Sequence, residues 1–153
     1  MGEKQNAQTF GPRFIVESLD REFARLYLRS CRIIENTSQD LLYAREATRH
    51  LPSTGESVLR SAAAIERTFG GLTSNLWDDP FEWTLPEHLS TPALVIEHLG
   101  EVDVLRRRAF ESFSDDACLL KHVATPTGET RPLIDLLLET LVRAAEFQGQ
   151  AAL

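Results

Sequence analysis

The segment Thr130-RPLIDLLLETLVRAAEFQG-Gln150 decides the fold. Leu133, Leu136, Leu137, Leu141 and Ala144 recur at intervals of three and four, the period of a helix that buries one face. Gly128 is a turn just ahead of it. Thr130 is placed to cap the helix, Pro132 falls in the first turn, where a missing N–H costs nothing, and Gly149 marks the end. Continued, the inner seam reads Leu133, Leu136, Thr140, Arg143, Phe147, Gln150. It begins apolar and turns polar, aiming an arginine at the centre of the surrounding helices. That change of character is the strongest pointer to a site in the chain.

Three further helices are predicted upstream. The first runs from Gly11-Pro12 to about Asn36, with Val16, Leu19, Phe23, Leu26 and Ile33 inward and Ser30 interrupting the seam. A looser segment, Gln39 to His50, has room for a short helical turn. Pro52-Ser-Thr-Gly55 is a cap cluster, and the second helix spans Glu56 to Phe69, with Val58, Ala62, Ile65 and Phe69 inward and Ser61 beside them. Gly70-Gly71 is read as its end. Trp77, Phe81 and Trp83 then stand among prolines and acids, as a lid over a pocket or as a plug on the open end of the core. Thr91-Pro92 opens the third helix, with Val95, His98, Val102, Leu105 and Ala109 inward, closing near Phe113. Ser114 to Leu120 is a cap and short turn; His122 to Glu129 is β-like or irregular. The reading is all-α, a four-helix bundle with a long irregular connection between helices two and three. Residues 1–10 are expected to be a flexible tail and residues 11–153 one domain.

At 153 residues, 42% hydrophobic and 25% charged, the chain can bury a core without staples. A net charge of −7 argues against nucleic acid and anionic membranes as partners, because phosphate binding needs clustered cations. The one basic run, Arg106-Arg107-Arg108, is read as a solvated helix face. Cys31 and Cys118 fit no metal spacing and read as reduced thiols, Cys31 as a small buried side chain. The polar residues 1–10 do not resemble a signal peptide, and no apolar run reaches the roughly 18 residues of a membrane span. A cytoplasmic setting is expected. No nucleophilic triad or phosphate loop can be assembled, and Asp78-Asp79 and Asp115-Asp116 read as loop and cap residues.

Three stretches carry a resemblance to a known superfamily. They are Ser57 to Phe69 (SVLRSAAAIERTF), Leu85-PEHL-Ser90 ahead of the third helix, and Gly128 to Gln150, ending RAAEFQGQ. Together they resemble the DinB-like (YfiT-like) bacterial four-helix proteins. The resemblance implies a divalent metal held by three histidines, one from helix two and an i, i+4 pair from helix four, which generates a bound hydroxide or thiolate. By position those ligands fall at Ser61, Arg143 and Phe147. Serine ligates Zn²⁺ or Ni²⁺ poorly, phenylalanine cannot ligate, and an arginine repels the ion.

The expectation is therefore a divergent member without the metal or its reaction, acting as a small-ligand-binding or interaction module. No cofactor is expected, with Zn or Ni as the alternative. The candidate ligand-binding residues are Ser61, Arg143, Phe147, Gln150, His98, Trp77 and Trp83. A buried Arg143 needs carboxylates, from Glu66, Glu97, Glu101 or Glu146, or else an anionic ligand. The alternative is a metal-dependent thiol transferase or hydrolase with a site rearranged around His98. A homodimer is expected, since relatives of that family pair through their helices. No motif names a substrate.

Overall fold

The computed structural model describes residues 11–48, 50–80 and 86–151. Four long helices dominate: α1 (Phe14–Glu35), α3 (Thr54–Ser74), α4 (Pro92–Ser112) and α5 (Leu133–Ala151), with a single turn, α2 (Gln39–Leu42), after the first. α1 packs on α4 and α5, and α3 packs on the same two, so the four close a ring round one apolar core. Before α5 come a 3₁₀ turn, Asp116–Leu120, and a small antiparallel hairpin of β1 (His122–Ala124) and β2 (Thr130–Pro132), paired Val123 to Arg131. No helix among the described residues is long and apolar enough to cross a membrane.

Local chemistry explains the helix ends. Ser53 and Glu56 form a reciprocal capping box that starts α3 before the expected Glu56. Thr91 caps α4, with Pro92 inside the first turn. α1 lacks a cap of its own, and the carboxylate of Asp116 accepts from Ile15 N and Val16 N, both at 3.0 Å. The Arg13 guanidinium donates to Phe113 O at 2.6 Å, so the start of α1 is tied to the end of α4.

Several expectations are corrected. α3 does not stop at Gly70-Gly71 but continues to Ser74, where Asn75 takes a left-handed cap at φ 54°. Gly71 serves packing: a Cβ there would overlap the ring of Trp77. Thr130 caps nothing and Pro132 lies in no helical turn, because both belong to β2. Gly128, at φ 82°, turns the hairpin there and delays the helix to Leu133. Gly149 is inside α5, not at its end.

The core has an aromatic half and a polar half. Phe23, Phe69 and Phe110 meet at centroid distances of 5.2 to 5.7 Å. Elsewhere Gln148, 1% exposed, donates to Leu26 O at 2.7 Å and to Ser30 Oγ at 2.8 Å. Ser30, which interrupts the α1 seam, is thus the acceptor that lets an amide be buried on α5.

Arg106 contradicts the solvated-face reading most directly. It is 4% exposed and donates to Asp103 at 2.5 Å and to Asp20 across the α1–α4 interface. Arg107 joins Asp103 from outside at 3.1 Å. His98 is also shifted: it is half-buried, and Leu99 takes the inward place.

Candidate functional site

α5 buries Leu133, Leu136, Leu137, Thr140, Ala144 and Gln148, so beyond Thr140 its inner stripe advances by four. The expected seam advanced by three and then four, which put Arg143 inward. In the structure Arg143 is exposed and Ala144 faces the core. The small side chain at 144 lets α3 come close, and Ser61 Oγ donates to Ala144 O at 2.8 Å inside the core. None of Glu66, Glu97, Glu101 or Glu146 forms an ion pair with Arg143. Among the described residues its one contact of note is with Phe147, whose ring centroid is 5.9 Å from the guanidinium carbon.

Arg143 and Phe147 are one turn apart on the outer shoulder of α5, and they form part of a cleft against α3. Its volume is about 330 Å³, within the range of small-molecule sites. Ala63 and Ala64 leave it room on the α3 side, and the hairpin residues Thr125 to Thr127 edge it. Trp77 forms a wall. Its ring is seated on Gly71, its Nε1 donates to Asn75 Oδ1 at 3.1 Å, and its carbonyl accepts from Arg67 Nε at 3.1 Å.

The lining charges are Arg60, Arg67, Arg131 and Arg143 against Asp79, Glu129 and Glu139. Arg131 and Glu139 are paired to each other. Among the described residues, four cations against three carboxylates leave one positive charge in excess, in a chain whose net charge is −7. Arg67 is held on the Trp77 carbonyl, and Arg143 forms no ion pair with a carboxylate among the described residues. A groove of about 490 Å³ continues from the cleft past Arg60 and Phe147 to His50 and Gln150.

Of the residues singled out from sequence, the cleft brings together Arg143, Phe147 and Trp77, and Gln150 lines the adjoining groove. Ser61 does not join them. It lines a small cavity of about 20 Å³ with Ser30 and Asp103. His98 is not among the cleft residues; it lies on the α3–α4 face, its Nε2 3.8 Å from Glu66 Oε2. That oxygen is buried without a hydrogen-bond partner. Burial raises the Glu66 carboxyl above its ordinary value, opposed by the His98 charge and reinforced by Glu101. Trp83, and with it Phe81, lies outside the described residues. Sequence reading missed Arg60, Arg67 and Thr68, which recur on α3 at the spacing of one helix face.

The metal that the resemblance implies does not fit these residues. The Ser61 hydroxyl is committed to a carbonyl in the core, Arg143 is cationic, and Phe147 has no donor atom. Among the described residues no three of His, Cys, Asp and Glu are grouped to hold an ion. The chain matches no protein-family model, no curated protein and no solved structure.

Proposed function

We propose that this protein is a ligand-binding module built as a DinB-like four-helix bundle, and that the α3–α5 cleft receives a small anionic ligand in place of a metal. The ring of helix contacts supports the bundle, and the order of sequence signals supports the family. One observation carries the binding reading. Arg143 stands at the cleft with its guanidinium in no ion pair with a carboxylate among the described residues, beside the ring of Phe147. A planar guanidinium in that position presents paired N–H donors to a carboxylate or phosphate. The Phe147 ring, its centroid 5.9 Å from the guanidinium carbon, offers a flat ligand an apolar surface beside it.

Calorimetric titration with benzoate and with inorganic phosphate tests this. The wild-type protein takes up one equivalent of anion, and Arg143→Met, which keeps the length of the side chain, weakens uptake about tenfold or more, the worth of one charged hydrogen bond. No heat from either anion would refute the reading. A cytoplasmic setting and pairing of two copies belong to the same proposal. Leu28 on α1 and Leu138 and Val142 on α5 are exposed apolar side chains available to a second copy. Light scattering distinguishes the monomer mass from the dimer mass.

A further inference from the structure

The hydroxyls at the base of the cleft have a fixed direction, and it restricts which anion fits. Thr68 on α3 and Thr140 on α5 both line the cleft, and their Oγ atoms are 2.6 Å apart. A hydroxyl has one hydrogen to give. Thr140 Oγ donates to Leu136 O at 2.8 Å, so its hydrogen is spent. The hydrogen between the two oxygens must therefore come from Thr68. Both hydrogens then point along the chain Thr68 to Thr140 to Leu136, and neither remains for a ligand. What is left on Thr68 Oγ is acceptor capacity alone.

A carboxylate pressed against this base would meet an acceptor and be repelled; a ligand N–H or O–H would be received. A guanidinium suited to a carboxylate is at Arg143, on the next turn of α5 after Thr140. The rings of Trp77 and Phe147 also line the cleft, and the small side chains of Ala63 and Ala64 leave space for a flat group.

We infer that the ligand is a planar carboxylate carrying a hydroxyl or amino donor at its far end, the anion toward Arg143 and the donor toward Thr68. This rests on the reading of the cleft as an anion site and adds a polarity to it.

Calorimetry with 4-hydroxybenzoate, 4-methoxybenzoate and benzoate as probes tests the inference. The hydroxy compound binds about tenfold more tightly than its methyl ether, which offers no hydrogen. Thr68→Val, which keeps the shape and removes the acceptor, abolishes that preference while benzoate binding persists. Thr68→Ser restores it, which separates a lost acceptor from a damaged fold. Equal affinities for the hydroxy and methoxy probes, or a preference that survives Thr68→Val, would overturn the donor assignment and leave the anion site standing. Failure of all three probes would remove this inference, and failure of inorganic phosphate as well would remove the anion site with it.

Discussion

Removing the carboxylate of Asp103 should cost more stability than removing both members of its ion pair. Asp103 is 7% exposed and Arg106 4%, and their closest approach is 2.5 Å. In Asp103→Ala the guanidinium stays buried, with only Asp20 left to oppose it, and Asp20 is 43% exposed on its side chain. Breaking one partner of a buried pair costs about 3–5 kcal/mol, because a charge is stranded in a medium that cannot solvate it. Asp20 offsets part of this, so about 3 kcal/mol is expected, or roughly 6–12 °C in Tm for a domain of this size. The double variant Asp103→Leu with Arg106→Met removes the stranded charge and should recover most of the loss. Urea denaturation of the wild type, the single and the double variants, in low and high salt, reads the effect. Salt should change the difference little, since a buried pair is poorly screened. A cost below about 1 kcal/mol for Asp103→Ala would match the exposed pairs of the surface and refute the reasoning, as would a double variant no better than the single.

Three other outcomes are expected. The raised Glu66 carboxyl contributes stability that is fully present below its ordinary value of 4.5 and is lost as pH rises through the higher folded value. Glu66→Gln should therefore gain on the wild type between pH 4.5 and 7, and a stability difference flat in pH would contradict the burial effect. Gly71→Ala should lose about 1–3 kcal/mol on chemical denaturation by unseating Trp77, and should weaken benzoate uptake; an unchanged protein would mean that the ring has room to move. Replacing Ala64, Arg143 and Phe147, which share the cleft, by histidines should create a Zn²⁺ site measurable by calorimetry, whereas a set using the buried Ser61 in place of Ala64 should not. Equal zinc uptake by both sets would contradict the placement of Ser61.

The long helices were legible because their apolar period is strong. Val16, Leu19 and Phe23 of α1 and Val58, Ala62, Ile65 and Phe69 of α3 are all buried, as their spacing predicts. The site was only half legible, because a seam advancing 3.5 residues and one advancing four diverge after two turns. Up to Thr140 the two agree; beyond it the choice between Arg143 and Ala144 is a matter of rotation, settled by the Ser61–Ala144 contact from another helix. Arg106 was misread for a related reason. Its run of three arginines looks uniform in sequence, and the first of them becomes an interior residue by pairing with buried Asp103 on its own helix and with Asp20 from α1. Thr130 and Pro132 carry cap signals that a two-strand hairpin overrides, since Leu133 N is already satisfied by Lys121 O at 2.8 Å.

The most direct measurement is a benzoate titration followed residue by residue through backbone amide chemical shifts. Binding in the cleft predicts saturable shifts at Ala64, Thr68, Arg143 and Phe147 and in the hairpin around Thr127, with the α1–α4 face unmoved. Shifts centred on Glu66 and His98, or none at all at saturating benzoate, would contradict the central claim.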